Sequence, residues 1–158
     1  MNRTAYETGD RIFEEVLRSA PRGEKLPEEN RGSWYCPCAT GRHESIIRTL
    51  AEDINADRIY DLGAGDLRLS VALSDEYEVI AYENNEFLAK RAYNLHGEPD
   101  IELRTQDYYA HWGAMNHKNA VFAAIGKTNK VPGTPQNGVA IEGCDKIQIA
   151  YPDATEET

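Results

Sequence analysis

The sequence predicts an α/β protein, with a mostly parallel sheet and helices on both of its faces. Three observations carry this. Short apolar runs alternate with segments of helical periodicity between residues 58 and 125. Two glycines, Gly63 and Gly65, sit where the first of those runs ends. An acidic residue closes or closely follows each of the first three runs: Asp61, Glu83 and Asp107.

The elements follow in order. Residues 5–19 carry Ile12, Phe13, Val16 and Leu17 at helical spacing, and Pro21 and Gly23 stop the helix. Residues 21–33 are polar and hold two prolines and two glycines, which predicts a loop. Trp34-Tyr35-Cys36-Pro37-Cys38 is apolar but broken by proline, and reads as extended. A second helix is expected from Arg42 to Asn55, burying Ile46, Ile47, Leu50 and Ile54. Strand 58–62 leads to a helix at 66–74, strand 78–83 to a helix at 84–95, and strand 100–104 to a short segment at 107–114. Strand 119–125 closes the alternation. Residues 126–138, with Pro132, Gly133, Pro135 and Gly138, predict a loop. Two last strands, 138–142 and 146–151, flank Gly143-Cys144-Asp145 as a terminal hairpin. The expected division is an N-terminal helix and loop over 1–33, a ligand-binding domain over 34–151 and a flexible tail over 152–158.

At 158 residues the chain has the size of one domain with a substantial core. No apolar run approaches the roughly 20 residues of a membrane span. The first residues lack the apolar stretch of a signal peptide, so the cytoplasm is the expected compartment. Twenty-seven acidic against 17 basic side chains give a net charge of −10. That balance opposes long-range attraction to nucleic acid or anionic membrane. It suits solubility, or a salty cytoplasm. The three cysteines make no disulfide framework. Cys36, Cys38, His43 and Cys144 are zinc-ligand types, but C-x-C is not the usual ligand spacing and Cys144 is remote, so no metal is expected.

Glycines at a strand-to-helix turn let a ligand approach the backbone, because no Cβ intervenes. The first amides of the following helix then face that ligand. Two ligand classes compete. A dinucleotide turn reads G-x-G-x-x-G, and Arg68 stands at the third glycine here. Asp66 also sets a carboxylate where a pyrophosphate would lie. S-adenosylmethionine carries no phosphate, and its cationic end tolerates carboxylates beside the turn. An acid after the second strand suits its ribose hydroxyls, and one after the third suits its adenine amino group.

At these residues the chain resembles the class I S-adenosylmethionine-dependent methyltransferases, from about Trp34 to Ile125. Asp61-Leu62-Gly63-Ala64-Gly65 resembles the family's first motif, which wraps the methionine end. Val79-Ile80-Ala81-Tyr82-Glu83-Asn84-Asn85 resembles the second, which puts Glu83, with Asn84, at the ribose. Arg104-Thr105-Gln106-Asp107-Tyr108 resembles the third, which puts Asp107 and Tyr108 at the adenine. Trp34 to Thr40 resembles the upstream element that closes over the cofactor and brings in Tyr35. Paired with Tyr60 to Asp66, that element is most similar to the archaeal protein-lysine methyltransferases. Leu67 stands where the family often has a further glycine. The resemblance implies a Rossmann-like three-layer sandwich and S-adenosylmethionine as cofactor. A common member has seven strands; four parallel strands plus a hairpin imply a shortened C-terminal half.

The acceptor is not legible. Many amino-group methyltransferases carry (Asp/Asn)-Pro-Pro-(Tyr/Phe) after the fourth strand, whereas this chain reads Ala123-Ala124-Ile125-Gly126-Lys127. Residues 108–141 contain no acid but hold Lys118, Lys127, Lys130, His111 and His117 beside Tyr108, Tyr109 and Trp112. Such a segment could meet an anionic or nucleic-acid acceptor. The plainer reading is a chance gap in a loop-rich region. His111 or His117 could be a general base, but a solvated loop histidine is the plainer reading of each. The expected function is methyl transfer to an unknown acceptor, with no catalytic residue assigned and a partner subunit allowed. A degenerate binding module and a nicotinamide-dependent oxidoreductase are the alternatives.

Overall fold

Strand β1, Arg58–Leu62, is buried at every position after Arg58. An uninterrupted buried run of this kind belongs to a strand covered on both faces. The computed structural model, which describes residues 3–17, 37, 39–115, 119–125, 138–141 and 147–150, has that arrangement. Helices α1 (Arg3–Leu17) and α2 (Gly41–Asp53) precede β1. Then come α3 (Arg68–Leu73), β2 (Glu78–Tyr82), α4 (Glu86–Leu95), β3 (Glu102–Arg104), α5 (Tyr108–His111) with a 3-10 turn at Trp112–Ala114, and β4 (Ala120–Ile125). The last two strands are β5 (Gly138–Ile141) and β6 (Ile147–Ala150).

The sheet has six strands in the order β3-β2-β1-β4-β6-β5. The first four in that order are parallel, with Leu62 level with Tyr82 and Tyr82 level with Arg104. β6 runs antiparallel to both β4 and β5, which makes the expected terminal hairpin. Strand order reverses between β1 and β4, the switch point where open α/β sheets bind ligands.

The pleat sorts the core. Ile59, Val79, Val121 and Ala123 face α2 and α3 through Ile47, Ala51, Leu69 and Leu73. Ala81 on the same face meets α4 and α1 through Leu88, Ala92 and Ile12. On the other face Tyr60, Leu62, Ile80, Tyr82 and Phe122 pack with Met115, Tyr108 and Trp112. Tyr60 and Phe122 stack at 4.7 Å with planes 3° apart.

Most boundaries shift by one or two residues from those expected. The larger departures have local causes. Helix α3 starts at Arg68 rather than 66, because Leu67 adopts a left-handed conformation, φ 68°. β3 starts at Glu102, because the Ile101 amide turns back to the Pro99 carbonyl. α2 is opened by Thr40, whose amide donates to Nδ1 of buried His43 at 3.0 Å in a capping box. His43 is therefore part of a helix start. Cys36, Cys38 and Cys144 lie outside the described residues, as do the expected loop over 21–33 and the tail. Among the described residues no cluster of three or more His, Cys, Asp or Glu could hold a metal. None of the described helices is long and apolar enough to cross a membrane.

Helix α1 is tied to all three neighbouring helices. Tyr6 donates to Glu44 of α2, Asp10 pairs with Arg68 of α3, and Glu15 pairs with Arg91 of α4. Burial, with Glu44 adding to it, pushes the Tyr6 phenol far above its usual range. Gly9 is what lets α1 approach α3: a Cβ there would lie 2.5 Å from Arg68 Nε. Gly9→Ala raises helix propensity by about 1 kcal/mol. It should nevertheless lower stability, by about 1–3 kcal/mol net, because the displaced guanidinium is buried and held by two carboxylates. Urea denaturation of the two proteins checks the sign.

Candidate functional site

The carboxyl ends of β1, β2 and β3 form one rim of the sheet. Gly63 and Gly65 have φ of 74° and 60°, which accounts for glycine at both places. The turn they make is fastened to β2. The amides of Gly63 and Ala64 both donate to the Tyr82 carbonyl at 2.8 Å. The Gly65 amide donates to Oε1 of Glu83 at 2.8 Å, and Oε2 of Glu83 accepts the Asn85 amide at 2.9 Å. Glu83 is buried, and its own amide donates to the Arg104 carbonyl on β3. Each carboxylate oxygen has a second lone pair, so acceptor capacity remains for a ligand hydroxyl.

Asn85 caps α4, accepting the Leu88 amide at 3.1 Å. Asp61, buried at the end of β1, accepts the Ser70 hydroxyl of α3 at 2.7 Å. Asp107 is exposed just ahead of α5, and its carbonyl accepts the His111 amide. Asn84 is exposed beside Glu83, and Tyr108 is half-buried at the head of α5. The structure thus gathers Asp61, Gly63, Gly65, Glu83, Asn84, Asp107 and Tyr108 at one rim of the parallel sheet. Tyr35 lies outside the described residues, as do His117, Lys118, Lys127 and Lys130.

Asp66 differs from its expected role. Arg68 Nε donates to Asp66 Oδ1 at 3.0 Å and Nη2 to Oδ2 at 2.8 Å, a two-pronged grip in a buried setting. The Arg68 amide donates to the same carboxylate, and Nη1 reaches Asp10. Asp66 therefore sets no uncompensated charge beside the turn. Repulsion from it does not discriminate against a pyrophosphate. Arg68, at the dinucleotide third-glycine place, serves instead as the anchor of α1.

His111 also differs from a solvated loop histidine. It ends α5, half-buried, with Nδ1 3.0 Å from the Tyr82 hydroxyl. Arg104 donates to the same hydroxyl at 2.6 Å. Tyr82, Ser70 and His96 are neighbours of the rim that the sequence did not single out. Their partners lie 9 to 30 residues away in the chain, and no local pattern marks them.

No protein-family profile matches the chain, and no curated protein matches it. Solved structures do. A Klebsiella pneumoniae protein assigned as an O-methyltransferase aligns over 90% of this chain and 88% of its own, at 10% identity and a TM-score of 0.52. Monomeric WbdD aligns over 88% of this chain at 9% identity, also with a TM-score of 0.52. The chain spans about half, 48%, of the length of WbdD. A Salinibacter ruber RNA methyltransferase in complex with S-adenosyl-L-homocysteine aligns over 73% of this chain and 94% of its own, at 17% identity and a TM-score of 0.47. The fold is the Rossmann-like fold of methyltransferases. At such identities the likeness is one of fold.

The turn has a pH-dependent support. His96, at the end of α4, holds the Asp66 carbonyl through Nε2 at 2.8 Å. A carbonyl only accepts, so Nε2 carries the proton. Burial lowers the His96 pKa from its ordinary 6.5, and Arg68 and Arg11 push the same way, against Asp66. A histidine depressed in the fold gives stability that is complete above the unfolded value and lost as pH falls below it. The denaturation midpoint should therefore drop as pH is lowered from about 7.5 to about 5.5. His96→Gln should flatten that part of the profile.

Proposed function

We propose that this chain binds S-adenosylmethionine at the rim of β1, β2 and β3 and transfers its methyl group to an acceptor. The observation that carries the proposal is the placing of Glu83. A buried carboxylate at the end of β2 holds the amide of the second turn glycine and keeps lone pairs for a neighbouring diol. Asp61 and Asp107, at the same rim, give acidic groups on either side of it.

The residues present fit such a ligand. The Gly63–Gly65 turn leaves backbone room for the amino-acid end. Glu83, with Asn84 beside it, would accept the two ribose hydroxyls. Asp107 would accept from the adenine amino group, and Tyr108 would lie along the base. The cofactor supplies an electrophilic methyl carbon on a sulfonium; the chain aligns donor and acceptor and keeps water from the reacting centre.

The finer readings belong to the same proposal. The similarity of the turn region to archaeal protein-lysine methyltransferases makes a lysine amine the first acceptor to assay. The acid-free segment 108–141 makes an anionic or nucleic-acid acceptor the second. A partner subunit would complete the shortened C-terminal half, and the cytoplasm is the compartment in which the donor is made.

Calorimetry with S-adenosylmethionine, S-adenosylhomocysteine and NAD tests the cofactor. The first two should bind and NAD should not. Glu83→Gln should weaken S-adenosylhomocysteine by about tenfold or more, since an acceptor of charge-assisted hydrogen bonds is lost. Binding of NAD alone would refute the proposal. Binding without transfer of a labelled methyl group to any protein, nucleic-acid or small-molecule pool would leave a cofactor-binding module instead of an enzyme.

A further inference from the structure

We infer that the Tyr82–His111 hydrogen bond positions the base-reading turn, making His111 and Tyr82 determinants of adenine selectivity. This rests on the proposed cofactor site and extends it to residues that touch no part of the ligand. α5 has four residues, Tyr108–His111, and one turn of helix is not stable alone. The turn is closed by the His111 amide on the Asp107 carbonyl, so His111 and Asp107 move as a unit.

Tyr108 and Trp112 pack that unit against the sheet, and one further contact to it is polar and directional. Arg104 has only donors, so its contact to the Tyr82 hydroxyl at 2.6 Å makes the phenol oxygen the acceptor. The phenol proton is then available to His111 Nδ1, 3.0 Å away, in the tautomer whose ring N–H is on Nε2. The rings meet edge-on at 5.8 Å. The Arg104 guanidinium lies 5.4 Å from the centre of the Tyr82 ring. Tyr82 is buried, so its orientation is set.

Tyr82 also clasps the other end of the site. Its carbonyl holds the Gly63 and Ala64 amides, while its side chain holds α5. One residue thus fixes the distance between the glycine turn and Asp107. A bond that only stabilised the fold would affect every ligand of the site alike. A bond that aims Asp107 affects the ligands that differ at the exocyclic group of the base.

The test compares S-adenosylhomocysteine with S-inosylhomocysteine, which has a keto oxygen where adenine has its amino group. Affinities are measured by calorimetry for the wild type, Tyr82→Phe, His111→Leu and His111→Asn. Tyr82→Phe keeps the ring and removes one hydroxyl, so it retains the core even where His111→Leu does not fold. The ratio of the two affinities should fall by about fivefold to tenfold in Tyr82→Phe and His111→Leu, the scale of one hydrogen bond. His111→Asn, whose amide oxygen can accept from Tyr82 near the place of Nδ1, should recover most of it. An unchanged ratio, with both affinities lowered together or neither lowered, overturns the inference while leaving the cofactor site standing. Failure of the wild type to bind either nucleoside removes the site itself.

Discussion

A single buried carboxylate organises the rim of this sheet. Glu83 leaves β2 with its two oxygens already committed to backbone amides on different elements, Gly65 in the glycine turn and Asn85 at the start of α4. Hydrogen bonds to an ionised acceptor contribute about 1.5–3 kcal/mol each. Those two bonds offset the desolvation that burying a charge entails. They also set geometry. The turn cannot drift from β2 without leaving Glu83 and the Tyr82 carbonyl unmatched together. A functional carboxylate is usually argued from what it could offer a ligand. Here its structural work comes first, and in the proposed site a ligand would use the acceptor capacity that remains.

The turn carries a compensated irregularity next to that clasp. Leu67 sits at φ 68°, a conformation that costs an L-residue about 1–2 kcal/mol. Its side chain is fully buried with Ile12, Ala81, Leu88 and Ala92, and burying a leucine returns about 1.5–3 kcal/mol. A glycine would satisfy the backbone and leave that space unfilled. The next residue, Arg68, then joins Asp66 to Asp10, and Gly9 opens the room for it. α1 is thereby fastened to the helix that follows the glycine turn. The departures from glycine at 67 and 68 belong to one arrangement, in which an N-terminal helix braces the turn.

The same contrast explains what could be read in advance. Gly63 and Gly65 were legible because positive φ restricts residue choice locally. Glu83 and Asp107 were legible because the ends of apolar runs can be counted. The same count finds Asp61 near the end of β1, and nothing in the pattern points to its partner Ser70. Leu67 stands where the family often has a glycine, and a buried apolar contact that overrides a backbone preference leaves no local mark. Asp66 takes its role from Arg68, two residues on, whose positive charge matters here more than its place in a glycine pattern. Tyr82 read as one more apolar strand residue. Its hydroxyl acquires meaning only once parallel pairing sets it level with Arg104 and α5 returns His111 across the face.

The far edge of the sheet is built differently from the rim. β4 is paired on its outer edge by an antiparallel strand, with Ile125 level with Ile147 and Ile147 level with Ile141. The open end of the β5–β6 hairpin, at Gly138 and Ala150, therefore points toward the amino ends of the parallel strands. The ends at Ile141 and Ile147 stand level with the rim that carries the glycine turn. β5 itself runs parallel to β4, with β6 antiparallel between them. The rim proposed to hold the cofactor is formed by β1 to β3 and their turns, and the hairpin lies beyond it, next to β4. On that proposal the wall beside β4 is the part of the architecture free to vary with the acceptor while the rim stays the same.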